Sequence, residues 1–127
     1  DSALLLEKKY NNHASGEDNA GRMRKGAPII EGGPPRYETN VDVTRLLFHL
    51  KERHVTASMN DGTSMTFLCN LAGYVAMHEI ENSSVKKKPL FIFIHVPHRG
   101  MYTIGTLVDG VEEVLVFLIN ESNGCLF

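Results

Sequence analysis

Several features that would assign a function directly are missing from this sequence. The 127 residues hold only two cysteines, Cys69 and Cys125. Two thiols so far apart form no disulfide framework, and without a C-x-x-C pair there is no zinc ribbon or dithiol redox centre. Free thiols in a reducing compartment are the expectation. Neither sign of charge dominates: thirteen Lys and Arg stand against fifteen Asp and Glu, for a net charge of -2. That removes the electrostatic footprint required by a nucleic-acid backbone or an anionic membrane, and neither is expected as a partner. Long hydrophobic runs are missing too. The longest, Val111 to Ile119, is interrupted by Glu112 and Glu113 and falls well short of the ~20 residues of a membrane helix. Leu4 to Leu6 has no basic region before it and no small-residue cleavage site after it, so it does not read as a signal peptide. A soluble, cytoplasmic protein is expected, and the glycosylation patterns at Asn82 and Asn120 read as chance. Gly32 and Gly33 lack the Lys and Ser/Thr of a phosphate-binding loop, which argues against a nucleotide site.

What remains is the composition of an ordinary folded domain, 43% hydrophobic and 22% charged. A chain of this length buries roughly two-thirds of its unfolded surface as one unit. Asn11 to Pro35, rich in Asn, Gly and Pro, reads as loop. From Val43 the spacing of Val43, Leu46, Leu47, Leu50 and His54 predicts an amphipathic helix. Val55 to Met59 reads as a short extended segment closed by turn chemistry at Asn60-Asp61-Gly62. Thr66 to Glu81 reads as helix, with Thr66 as its N-cap. Pro89 to Val96 is the strongest strand, because Leu90 to Ile94 is a continuous apolar run suited to burial on both faces. Thr103 to Asn120 reads as a last helix. Strand, helix, strand, helix in this order predicts an α/β fold with a right-handed crossover between parallel strands. In such sheets the working site lies beyond the carboxyl ends of the strands.

Two residues belong at that edge. Cys69 falls in the first turn of a predicted helix, and His95 falls near the end of the next predicted strand. The positive end of a helix favours a thiolate by about 0.3 to 1 kcal/mol, whereas ionising a free thiol below neutrality needs roughly 2 kcal/mol. A second positive group is therefore required, and His95 as imidazolium is the best placed to form the pair that cysteine nucleophiles use. On spacing alone, Cys69 reads rather as a small buried apolar residue and His95 as an ordinary strand-end histidine.

The local sequence around each residue adds a resemblance. Thr66-Phe67-Leu68-Cys69-Asn70 with Tyr74 and His78, and Phe93-Ile94-His95-Val96-Pro97, resemble the nucleophile and base segments of the pyroglutamyl peptidase I (pyrrolidone-carboxylate peptidase) family of cysteine peptidases. Upstream, Glu7 and Asn12 are similar to its E-x-x-x-x-N pair, Asp18-Asn19-Ala20-Gly21 to its D-N-x-G turn, and Ile30-Glu31-Gly32-Gly33-Pro34 to its E-G-G-P stretch. The matches run in one consistent order from residue 7 to residue 97.

The resemblance implies a three-layer α/β/α fold with a mostly parallel, mixed central sheet. It implies Cys69 as nucleophile, His95 as general base and acid, and Glu7 as the group that orients His95. Phe67 and Leu68 would line the pocket for a lactam ring, with Asn19 at the substrate site. The substrates would be peptides beginning with L-pyroglutamate, and family members commonly form homotetramers. No cofactor is expected and no metal, since His95 and His98 lack a fixed third ligand. The family's chain begins well before its glutamate, so residues 1–127 are expected to be the latter part of a single domain whose first strands are missing here. Ala14 to Glu17 stand where the family has an arginine, and Ser64-Met65 where it has Ala-Gly. These departures motivate an alternative, a non-catalytic relative serving as a binding or assembly scaffold. A redox-sensing thiol protein is a third reading, resting on the thiol alone.

Overall fold

The computed structural model describes residues 4–14, 27–61, 68–97 and 102–123. Asn19 and its turn, Ser64, Met65, Thr66, Phe67, His98 and Cys125 lie outside the described residues.

A strand that the sequence reading did not single out forms the middle of the sheet. Leu4–Glu7 (β1) alternates in the way strands must, with Leu4 and Leu6 wholly buried on one face and Leu5 and Glu7 directed to the other. It pairs in parallel with Ala57–Asn60 (β4), Leu4 opposite Ala57 and Glu7 opposite Asn60. On its other side it pairs antiparallel with Phe93–His95 (β5), Leu5 opposite His95 and Glu7 opposite Phe93. The order is β4-β1-β5. The face bearing Leu4 and Leu6 is covered by Val43–Glu52 (α1) and Ile104–Ser122 (α3), whose Leu46, Leu50, Val114 and Phe117 share their core with Ile92 and Ile94. Leu68–Glu81 (α2) belongs to a second core, with Tyr10, Phe91 and Phe93. The expected α/β class and mixed sheet therefore hold.

The predicted parallel crossover does not. β5 runs antiparallel to β1, and hence to β4, so the chain leaving α2 enters the sheet from the opposite end. The segment before β5 is held by side chains from another part of the molecule. Asn40 Nδ2 donates to Pro89 O at 2.8 Å, and Asn40 Oδ1 accepts from Phe91 N at 2.8 Å, while the Thr39 hydroxyl donates to Phe91 O. These bonds occupy backbone groups that a longer strand would have offered to a neighbour. The strand predicted over Pro89–Val96 is accordingly confined to Phe93–His95.

The predicted helices stand over their described residues, α1 stopping at Glu52 short of His54, and caps explain the ends of α1 and the start of α3. Asp42 caps α1 by accepting from Arg45 N at 3.1 Å, and Thr103 caps α3 by accepting from Thr106 N at 3.1 Å. At the far end of α1, Val55 N reaches Leu50 O and His54 N reaches Lys51 O, a Schellman closure that places His54 at φ 58°. Asn60 is the last residue of β4 rather than part of a turn. The expected loop from Asn11 also begins later, because Lys9–Asn11 (β2) pairs antiparallel with Arg36–Glu38 (β3). α2 rests on this small sheet. Its contact requires a glycine: a Cβ at Gly73 would lie 2.6 Å from Tyr10 Cγ and closer still to two other ring carbons. Among the described residues, no helix is long and apolar enough to cross a membrane.

Candidate active site

The register of the sheet brings two titratable side chains together. Glu7 and His95 sit on adjacent antiparallel strands, offset by one diagonal step on the face that α2 covers. Diagonal neighbours are within reach of long or aromatic side chains, and His95 Nε2 lies 2.8 Å from Glu7 Oε1. The approach is close but bent, since the ring nitrogen does not meet hydrogen-bond geometry there. The other ring nitrogen, Nδ1, faces Cys69 Sγ at 3.9 Å. The thiol and the carboxylate thus occupy opposite sides of one imidazole. Contacts of this kind are often long or poorly aligned in a protein without substrate.

Environment distinguishes the three groups. Glu7 is buried, 1% exposed, whereas the His95 side chain is 35% exposed and Cys69 is half-buried. Burial raises the Glu7 carboxyl above its usual 4.5, against the opposing effects of the Asn60 hydrogen bond and of His95. Asn60 Nδ2 donates to Glu7 Oε1 at 3.2 Å, so Oε1 meets both neighbours while Oε2 has no hydrogen-bond partner among the described residues. With the carboxylate at Nε2, a neutral ring carries its proton there and turns the Nδ1 lone pair toward the thiol. That tautomer can accept a proton from sulfur.

The helix bearing Cys69 is fixed by the next residue. Asn70, 1% exposed, accepts from Asn11 N at 2.7 Å and donates to Asn11 O at 2.8 Å and to His13 O at 3.3 Å. Asn12 does the same for the glycine turn, accepting from Ile30 N and donating to Ile30 O, both at 2.9 Å. Together with Asn40, three asparagine amides act as substitute peptide groups that pin loop backbone around the site.

Of the sequence-predicted residues, Cys69, His95 and Glu7 converge. Leu68 is 77% exposed and joins Leu71, Ala72, Val75 and Ala76 in an open apolar patch along α2. His78 lies behind the helix, with Nδ1 2.9 Å from the Tyr37 hydroxyl. Sequence reasoning missed Asn60, which it assigned to a turn, and Tyr10. A polar residue closing an extended segment was the only signal for the first. Among the described residues no cluster of His, Cys, Asp and Glu could hold a metal ion.

A family model described as pyroglutamyl peptidase matches residues 10–116, a span that includes Cys69 and His95 and begins just after Glu7. A pyrrolidone-carboxylate peptidase of Thermococcus kodakarensis is 35% identical over 111 residues, covering 82% of this chain and 53% of that protein. One from Bacillus anthracis is 30% identical over 103 residues, covering 75% of this chain and 47% of that protein. The chain therefore spans about half the length of these curated relatives. The solved pyrrolidone carboxyl peptidase of the hyperthermophile Pyrococcus furiosus superposes with a TM-score of 0.84 at 20% identity, over 96% of this chain and 65% of that one. At that identity the likeness speaks for the fold.

Proposed function

The chain belongs to the pyroglutamyl peptidase family, and from that premise we propose that it is a cysteine exopeptidase releasing L-pyroglutamate from the N-terminus of peptides. The observation that carries this reading is the line of sulfur, imidazole and carboxylate, with Sγ 3.9 Å from one ring nitrogen and the Glu7 oxygen 2.8 Å from the other. His95 Nδ1 takes the thiol proton, and the Cys69 sulfur attacks the pyroglutamyl carbonyl. The tetrahedral intermediate collapses as the imidazolium gives its proton to the departing amine, breaking the C–N bond and leaving a thioester. Water, deprotonated by the same nitrogen, then attacks the thioester, and the C–S bond breaks to return the thiol and free pyroglutamate.

Glu7 contributes most when His95 is charged. A buried carboxylate has lost its water, and a positive ring 2.8 Å away repays part of that cost, so the pair is most favourable when the imidazolium forms. Leu68, next to Cys69 in sequence and exposed, is the described residue of the proposed lactam pocket. Phe67 and Asn19, proposed on the family resemblance alone, would complete that pocket.

The test is hydrolysis of a fluorogenic pyroglutamyl amide by this chain and by Cys69→Ala. Release that is abolished by Cys69→Ala is expected. Release unchanged in that variant would refute the assignment. No release, together with alkylation of Cys69 no faster than that of Cys125 near neutral pH, would favour a non-catalytic scaffold that keeps the fold.

A further inference from the structure

Each of the three elements that carry the proposed catalytic groups touches one side chain, Tyr10. This residue of β2 is wholly buried. Its hydroxyl donates to Glu7 O at 2.8 Å and accepts from Phe93 N at 2.9 Å. Glu7 and Phe93 are opposite one another in the β1–β5 pairing, so the hydroxyl joins the two strands at that pair. Glu7 carries the carboxylate itself, and His95 is two residues beyond Phe93. The ring of the same tyrosine forms the seat for α2: Gly73, which must lack a Cβ to rest on it, lies one turn after Cys69 on the same helix. Phe91 closes the ring's remaining side edge-on, with centroids 5.9 Å apart.

We infer that Tyr10 is the positioning residue of the site, holding β1, β5 and α2 so that Glu7, His95 and Cys69 align. The inference rests on the peptidase reading above, because it names what holds that reading's three groups. The two hydroxyl bonds run in fixed directions, one donated and one accepted, and phenylalanine supplies neither. Burial, with the Glu7 charge adding to it against the Phe93 bond, pushes the Tyr10 hydroxyl up to about 12, so it remains a donor throughout the working range. Without it, the Glu7 carbonyl and the Phe93 N–H lose their common partner, and the two strands bearing Glu7 and His95 can slide relative to the helix bearing Cys69. A misplacement of about 1 Å at a reacting pair is enough for a large loss of rate.

The experiment is iodoacetamide alkylation of Cys69 as a function of pH, with Cys69 and Cys125 peptides resolved by mass, in the unchanged chain, in Tyr10→Phe and in Tyr74→Phe. Tyr74→Phe is the control: it deletes a buried tyrosine's hydroxyl that α2 itself carries and that donates to Pro34 O at 2.6 Å, away from Glu7 and His95. The unchanged chain should show a limb of reactivity below neutrality that His95 supports. In Tyr10→Phe that limb should fall about tenfold, while the rate above about pH 9, where any thiol is ionised, stays the same. Tyr74→Phe should melt earlier yet keep the whole curve. A folded Tyr10→Phe with an undiminished low-pH limb overturns the inference. A Tyr10→Phe chain that circular dichroism finds unfolded also overturns it, by assigning the hydroxyl to fold stability. If the unchanged chain has no low-pH limb, the peptidase reading itself fails, and this inference falls with it.

Discussion

Gly73→Ala tests the seat of the helix by the smallest available perturbation, one methyl group. The new carbon would lie 2.6 Å from Tyr10 Cγ and nearer to Cδ1 and Cε1, whereas carbon atoms rest at about 3.5 to 4.0 Å. α2 and β2 must therefore separate by about 1.5 Å. The ring cannot turn away, because its hydroxyl is held at both Glu7 O and Phe93 N. Overpacking of this kind costs typically about 1 to 3 kcal/mol, and the upper end applies to a ring fixed at its far end. Against it stands the gain from replacing glycine by alanine inside a helix, about 1 kcal/mol. The difference is a destabilisation of about 2 kcal/mol, which for a domain of this size lowers Tm by roughly 6 to 12 °C. Urea and thermal melts followed by circular dichroism measure it. Moving α2 also lengthens a Sγ–Nδ1 contact already at 3.9 Å, so alkylation of Cys69 below neutral pH should slow in the same variant. A Gly73→Ala chain as stable as the parent, or more so, would refute the reasoning: propensity would then outweigh a contact that the structure describes as closed.

Three further outcomes follow from other residues. Burial holds the Glu7 carboxyl above 4.5, so the folded chain binds that proton more tightly than the unfolded chain does. The stability it contributes is full below that value and is lost as pH rises through the folded one. Relative to the parent, Glu7→Gln should therefore gain stability as the pH increases between about 4 and 7, and a flat difference in urea midpoints would exclude the linkage. Asn70→Ala removes the bonds that its amide makes with the Asn11 N–H and with the Asn11 and His13 carbonyls, a loss of about 2 to 4 kcal/mol in denaturant unfolding; a loss below about 1 kcal/mol would mean that water replaces the amide freely. His54→Gly relieves a side chain at φ 58° and should raise stability by up to about 1 kcal/mol. An unchanged or lower melting point would show that His54 makes compensating contacts.

The parts of the fold legible beforehand are those decided by neighbours in sequence. α1 follows from apolar spacing within one or two turns, and the structure adds the caps Asp42 and Thr103 at the starts of α1 and α3. β1 was hidden because three consecutive leucines carry no period that separates a helix from a strand. The direction of β5 was hidden for a different reason. It is set with Thr39 and Asn40, whose partners Phe91 and Pro89 lie about fifty positions further along, and no local window contains both. The positions of Cys69, His95 and Glu7 came from motif order, and the sheet register then supplied the physical account of why a glutamate and a histidine so distant in sequence meet. Asn60 looked like turn chemistry, since its neighbours Asp61 and Gly62 are turn formers; its partner Glu7 on the adjacent strand is what gives it another task.

The three asparagine amides have a consequence for the order in which the molecule assembles. Asn12 joins positions 18 residues apart, Asn40 positions 51 apart and Asn70 positions 59 apart. Each bond waits for a long loop to close, an entropic cost that local helix formation does not bear. The helices can thus form while the thiol, the imidazole and the carboxylate are still strangers, and the alignment of the three is expected among the last events of folding. On the return journey the same bonds are expected to open among the first. Reactivity of Cys69 toward alkylation should then change at lower urea than the helical signal does, so the site reports the earliest loosening of the chain.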